Sequence, residues 1–269
     1  MKLQQATNVS PVATYLDSIL EAHRAAALAD ERDTSTLIAE AQSMNEPRGF
    51  SAAIEKTEGL AVISEIKRRS PSKGDLNIGL DPAEWARAYE SGGASCLSVL
   101  TDVDHFGGSL DDLVTARGAV GLPVIRKDFT VSANDVVDTR LMGADCVLLI
   151  VAALTDDELG EFFDLSVALG LDALVETHDE REVSRALSVG ATLIGVNQRD
   201  LVTFQVDTDR AVRVGSALPD NVVRVAESGV DGAPDAAILR SAGYDAVLVG
   251  EALVRSGDPS AAVAALRAV

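Results

Sequence analysis

The sequence predicts a (β/α)₈ barrel with an N-terminal helical extension, and three observations predict it. From about residue 60 onward, short β-branched runs alternate with amphipathic stretches of helical period, the mark of repeated βα units. Hydrophobic residues make up 47% of the chain but aromatic residues only 4%, so the core must be Val, Leu, Ile and Ala, which fill parallel strands and their covering helices. The length, 269 residues, suits one barrel, a class that runs to roughly 250 residues around a single core.

Eight strand candidates follow in order: 60–67, 94–100, 123–128, 145–151, 172–176, 192–197, 222–227 and 245–249. Helix starts lie between them at Asp81-Pro82, at Ser109 with acidic residues behind it, and at Thr155 before Asp156-Asp157-Glu158, where a side-chain oxygen can accept from the free N–H groups of a first turn. Gly92, Gly121, Gly143, Gly170, Gly190 and Gly243 follow the expected helix ends, positions that favour a residue tolerant of positive φ. Right-handed crossovers then place every strand's C-terminal end on one face, where barrel catalysis occurs. The rival architecture is an open doubly wound sheet, but no Gly-x-Gly-x-x-Gly turn follows the first strand. Residues 1–58 break the βα rhythm; helical runs are expected at 12–30 and 34–40, with polar 45–49 leading to the barrel at 59–269. They read as an extension packed on the barrel within a single domain, over either the mouth or the bottom.

A formal charge of −19 opposes nucleic-acid binding, because phosphate backbones are held by clustered Lys and Arg. The longest apolar runs, such as 146–154, fall far short of the ~20 residues of a membrane span, and the N-terminus carries no basic-then-apolar leader. A soluble, cytoplasmic protein without a membrane partner is expected, as a monomer or weak homo-oligomer. Lysine is confined to Lys2, Lys56, Lys67, Lys73 and Lys127, and the acidic excess is rich in Asp, which suggests a halophilic protein whose self-repulsion is screened by counterions. Cys96 and Cys146 stand inside apolar strands as small buried hydrophobes, so neither a disulfide nor a metal site is indicated.

In so lysine-poor a chain, lysines at strand ends draw attention. Alternation puts Ile63, Glu65 and Lys67 on one face of the first strand, the charged pair roughly 7 Å apart along it. If that face is the lumen, an acid–base pair points at a ligand; otherwise it is a solvated basic loop with one surface ion pair. On the third strand Ile125, Lys127 and Phe129 share a face, which makes Lys127 either a snorkelling edge charge or a buried ammonium held by carboxylates. Glu176, after Leu174 on the fifth strand, is a candidate partner. Asn197 and Arg199 follow strand six, and Glu227, Ser228 and Gly229 follow strand seven. Barrels commonly bind phosphate in the loops after strands seven and eight, which points to Ser228-Gly229 and Gly250, with a hydroxyl from Ser70.

Glu65-Ile66-Lys67 with Ser70-Pro71-Ser72, Phe106-Gly107-Gly108-Ser109, Lys127-Asp128-Phe129, Leu174-Val175-Glu176, Gly195-Val196-Asn197-x-Arg199 and Ala226-Glu227-Ser228-Gly229 together resemble indole-3-glycerol-phosphate synthase, in order and in register from about residue 60 to 250. The resemblance implies a cofactor-free, metal-free carbon–carbon lyase of tryptophan biosynthesis acting on 1-(2-carboxyphenylamino)-1-deoxyribulose 5-phosphate. It implies Lys127 as general acid, Glu176 as base or proton relay, and Glu65 and Lys67 as orienting and proton-sharing groups. Asn197 and Ser228 would contact the sugar chain, with Arg199 and Glu227 shaping the charge network. Ser70, Gly229 and Gly250 would bind phosphate, and Phe106, Phe129 and Leu148 would wall the anthranilate ring. One departure is Glu251, where some family members carry a small Ser; its side chain is expected to turn outward, away from a phosphate it would repel. Two other readings are a phosphoribosylanthranilate isomerase-like barrel, which relies on a cysteine and an aspartate, and a non-catalytic phosphate-binding barrel subunit.

Overall fold

Apolar strands flanked by helices on the outside can bury both faces only if the sheet closes on itself, and here it does. The structure is a computed structural model describing residues 15–70, 73–200 and 203–269. The barrel strands are β1 (Ala61–Ile66), β2 (Cys96–Leu100), β3 (Val124–Lys127), β4 (Cys146–Ile150), β5 (Asp172–Thr177), β6 (Leu193–Asn197), β7 (Val223–Glu227) and β8 (Ala246–Val249). Each pairs in parallel with the next, and β8 returns to β1 with Ala61 opposite Ala246. Closure excludes the open sheet. A small antiparallel ribbon, Arg69–Ser70 with Gly74–Asp75, projects after β1. Pro71 and Ser72 of the motif there lie outside the described residues.

The helices are α1 (Tyr15–Ala29), α2 (Thr34–Gln42), α3 (Phe50–Glu55), α4 (Pro82–Ser91), α5 (Leu110–Ala119), α6 (Ala133–Leu141), α7 (Asp156–Ala168), α8 (Glu180–Ser188), α9 (Asp209–Gly215), α10 (Ala233–Ser241), α11 (Glu251–Arg255) and α12 (Pro259–Arg267). Their starts follow the cap chemistry. Asp81 accepts from the Ala83 and Glu84 amides, Ser109 from Asp112, and Thr155 forms a reciprocal capping box with Glu158. Gly143, Gly170, Gly190 and Gly243 take positive φ at helix ends. At α4 that role passes to Gly93, while Gly92 is needed because a Cβ there would strike the Ser260 carbonyl; Gly121 is not in the left-handed region.

Alternation along the strands builds two cores. Outward residues such as Val62, Leu97, Val147 and Val175 meet the helices, and inward residues such as Ile63, Ile125, Leu148, Leu174 and Val225 fill the lumen. The chain ahead of β1 serves both ends of the barrel. α3, which periodicity did not reveal, inserts Phe50 and Ile54 into the lumen from below, where Asp172 Oδ2 at the start of β5 accepts from the Phe50 and Ser51 amides at 2.6 and 3.0 Å. α1 reaches the other end. Leu16 and Ile19 face the mouth, and Arg24 pairs with Glu158 at 2.7 Å. Positions 12–14 of the expected first helix lie outside the described residues.

Candidate active site

The mouth opens into a cleft of about 950 Å³. β1 carries Glu65 and then Lys67 into it by the two-residue alternation, and the two side chains meet as an ion pair. The basic-loop reading of this pair is therefore set aside. β3 delivers Lys127, whose Nζ donates to Glu176 Oε2 on β5 at 3.0 Å and lies 3.6 Å from Glu227 Oε2 on β7. With 16% of its side chain exposed, Lys127 is a buried ammonium held by carboxylates, not an edge charge. Asn197 at the end of β6 donates to Glu176 Oε1 at 3.0 Å and accepts from the Arg199 amide at 3.0 Å. Two glycines create the room: a Cβ at Gly195 would collide with Glu227, and one at Gly250 with Glu65. The bare Cα of Gly250 makes room for the Glu65 carboxylate, and the residue also lines the cleft where the sequence leads one to expect phosphate.

Charge is distributed unevenly within this cluster. Burial alone would depress the Lys127 ammonium, but Glu176, Glu227 and Glu65 outweigh it and hold the group above the ordinary lysine range. Burial would raise Glu176, yet Lys127 and Asn197, joined by His178 when its ring is charged, pull it down to about 2. Glu227 goes the other way, raised by burial and by the charge on Glu176. The two buried carboxyls are thus driven apart, Glu176 toward its ionised form and Glu227 toward its protonated one, with Lys127 held as an ammonium between them.

All the remaining candidates line the same cleft: Phe106, Phe129 and Leu148 on an apolar wall, and Ser70, Arg199, Ser228, Gly229 and Gly250 toward the rim. Ser228 and Gly229 are consecutive left-handed residues with φ of 65° and 70°, rare for a serine, and Gln198 Nε2 pins the turn by donating to the Ser228 carbonyl at 2.7 Å. Glu251 also lines the cleft. Its carboxylate lies 3.3 Å from Arg255 and 4.0 Å from Lys73, so two cations offset the charge that the sequence reading wanted turned outward. Lys73 and Arg255 themselves line the cleft beside Ser70, Gly229 and Gly250, and neither was singled out from the sequence. Lys73 reads in the sequence only as the end of the basic loop after the first strand, and Arg255 follows the last strand without a motif.

Beside the mouth, His23 Nε2, Asp102 and Asp128 offer ligand atoms within 4.8 Å of one another, the grouping among the described residues that has metal-ligand character. Its oxygens are already engaged. Asp102 accepts from the His105 and Phe106 amides and Asp128 from Thr101 and Arg126, whose guanidinium would repel a cation. Cys96 and Cys146 are buried and free at the starts of β2 and β4, in the lumen core with α3 and away from the mouth.

A closed parallel barrel with paired carboxylates and ammonium groups at its C-terminal mouth defines an acid–base enzyme of the (β/α)₈ class. The chain belongs to the indole-3-glycerol phosphate synthase family, whose model matches residues 16–266. Indole-3-glycerol phosphate synthase of Mycobacteroides abscessus is 51% identical over 255 residues, covering 94% of this chain and 93% of that one. The protein of the same name from Mycobacterium avium is 52% identical over 256 residues, covering 94% of each. Among solved structures, thiamine phosphate pyrophosphorylase from Pyrococcus furiosus shares the fold at a TM-score of 0.58 and 17% identity, over 78% of this chain and 94% of that one. N-acetylmannosamine-6-phosphate 2-epimerase from Clostridium perfringens does so at 0.59 and 13%, over 76% and 91%.

Proposed function

We propose that this chain closes the indole ring on 1-(2-carboxyphenylamino)-1-deoxyribulose 5-phosphate, releasing carbon dioxide and water to form indole-3-glycerol phosphate in tryptophan biosynthesis. Family membership supports the reaction. The observation that carries the assignment of roles is the Lys127–Glu176 contact at 3.0 Å, made across the lumen beside an apolar wall.

The anthranilate ring carbon attacks the ketose carbonyl, whose oxygen becomes a developing alkoxide, and the Lys127 ammonium protonates it. Loss of carbon dioxide returns the electron pair to the ring. Dehydration then requires a proton to be taken from the ring system and the hydroxyl to leave with another. Glu176, ionised at rest, accepts the first, and Lys67 with Glu65 supplies and orients the second. Glu227, pushed toward its protonated form by burial and by Glu176, limits the negative charge around Lys127, which keeps that ammonium competent as an acid. Phe106, Phe129 and Leu148 stack against the aromatic ring, and Asn197, Arg199 and Ser228 hold the sugar chain. Ser70, Gly229 and Gly250 bind the phosphate, with Lys73 and Arg255 giving the pocket its positive charge. The reaction so drawn moves protons between side chains and calls for no cofactor.

An isomerase-like barrel would need its cysteine at the mouth, whereas both cysteines lie in the lumen core. A non-catalytic barrel would have no use for a buried ammonium among three carboxylates. Adding the carboxyphenylamino substrate and following indole absorbance and fluorescence tests the proposal; no indole signal with a folded enzyme would refute it.

The same reading includes a single domain, with residues 1–58 as an extension packed on the barrel formed by 59–269. It places the enzyme in the cytoplasm as a monomer or weak homo-oligomer, without nucleic-acid or membrane partners, and adapted to high salt. The net charge of −19 supports the last two points, and no helix among the described residues is long and apolar enough to cross a membrane.

A further inference from the structure

His178 follows β5 directly and takes no part in the mechanism above. Its ring is mostly buried, its Nδ1 lies 3.0 Å from Glu182 Oε2 on α8, and its backbone N–H donates to the same oxygen at 2.8 Å. With Nδ1–H directed at that carboxylate, the neutral ring presents a lone pair on Nε2. That nitrogen is buried and without a hydrogen-bond partner, a rarity that calls for explanation, and it points at Glu176 Oε1 from 3.6 Å. Glu182 in turn has 17% of its side chain exposed. The three groups form a file from the lumen to the surface.

We propose that His178 is a positioning residue and proton exit for Glu176, an inference that rests on Glu176 being the base. After dehydration Glu176 carries the abstracted proton. Its O–H bond breaks as the Nε2 lone pair takes the proton, leaving Glu176 ionised again and His178 as an imidazolium stabilised by Glu182. The Nδ1 proton then passes to the Glu182 carboxylate and on to water, which leaves the neutral ring as its Nε2–H tautomer, and exchange with solvent during product release restores the Nδ1–H form for the next turnover. The 3.6 Å separation closes to hydrogen-bond length when the protonated acid donates.

For this route His178 must be neutral when Glu176 is loaded. Burial lowers its basicity, but the hydrogen bond to Glu182 and the charge of Glu176 raise it beyond the usual histidine value, with Arg210 on α9 opposing. Turnover should therefore fall as pH drops through a midpoint above about 6.5.

The test is the pH profile of kcat for wild type, His178→Asn, Glu182→Gln and Glu176→Gln, with folding checked by thermal melts. His178→Asn should lower kcat about tenfold, less than loss of the base itself, with KM nearly unchanged and the acidic limb gone. Glu182→Gln keeps the imidazole but removes its charged partner, so the limb should move toward lower pH. If His178→Asn fails to fold, that shift alone decides. An acidic limb unmoved in both variants, while Glu176→Gln is crippled, would overturn the relay and leave the base intact. Wild-type turnover in Glu176→Gln would overturn both.

Discussion

The carboxylate of Glu227 occupies the space a Cβ would need at Gly195, one strand away. A parallel barrel narrows where bulky inward residues crowd, and a glycine on β6 lets a buried acid from β7 lean toward Lys127. Gly195→Ala should therefore displace Glu227, with an overpacking loss of about 1–3 kcal/mol in stability and a marked drop in turnover. Chemical denaturation and steady-state kinetics measure the two. Full activity at wild-type stability would mean that the acid has room elsewhere.

Lys127→Met should lose most turnover while retaining substrate affinity, since the ammonium acts on charge that develops only in the transition state. Glu176→Gln should slow the reaction by roughly 10²–10⁴, the range for loss of a general acid or base. Single-turnover kinetics with a binding measurement distinguishes these losses from weakened binding. An unchanged turnover number in either variant contradicts its role.

Much of this site was legible because strand periodicity and charge coincide: Glu65, Lys67, Lys127 and Glu176 each fall on the inward phase of an apolar run. The strand limits agree with the structure to within two residues for the same reason. α3 escaped because a six-residue helix shows no repeat, and its docking depends on Asp172, far along the chain. His178 escaped because the fifth strand was ended at Glu176, whereas β5 runs to Thr177 and the histidine's partner lies on the following helix. Gly250 was visible as a glycine, but not the Glu65 side chain that requires it.

His23 ties α1 to the mouth, with Nε2 3.1 Å from Asp102 and 3.9 Å from Asp128, and its ring 5.4 Å from that of Phe129. The Asp102 hydrogen bond raises its pKa, burial opposes, and the Asp128 and Asp135 charges add to the rise. A histidine raised in the folded state contributes stability that is complete below its unfolded value, near 6.5, and is lost as pH climbs through the folded value. Hydrogen exchange of α1 amides should therefore accelerate above about pH 6.5, beyond the intrinsic rise with pH, and this excess should vanish in His23→Gln. Equal excess in both proteins would place the pH dependence elsewhere.

A surface of net charge −19 repels itself, and molar salt shortens the screening length to about 3 Å. The melting temperature should rise between low salt and molar sodium chloride. It should rise less in a variant whose exposed acids outside the cleft lining, such as Glu31 and Glu161, are changed to Gln or Lys. A flat or falling melting temperature for wild type would remove the case for halophilic adaptation.

Phe50 is fully buried in the floor of the lumen, among Ala61, Ile63 and Cys96, and its backbone N–H is held by Asp172. Truncating it leaves a cavity that rigid strands on all sides cannot close, so Phe50→Ala should lose about 3–5 kcal/mol of stability. The mouth lies at the opposite end of the strands, so turnover per folded molecule should stay near wild type below the melting transition. Denaturant titration alongside the indole assay checks both halves. A loss under about 1 kcal/mol would mean that α3 merely rests on the barrel, and a fall in turnover at full folding would couple the floor to the catalytic rim.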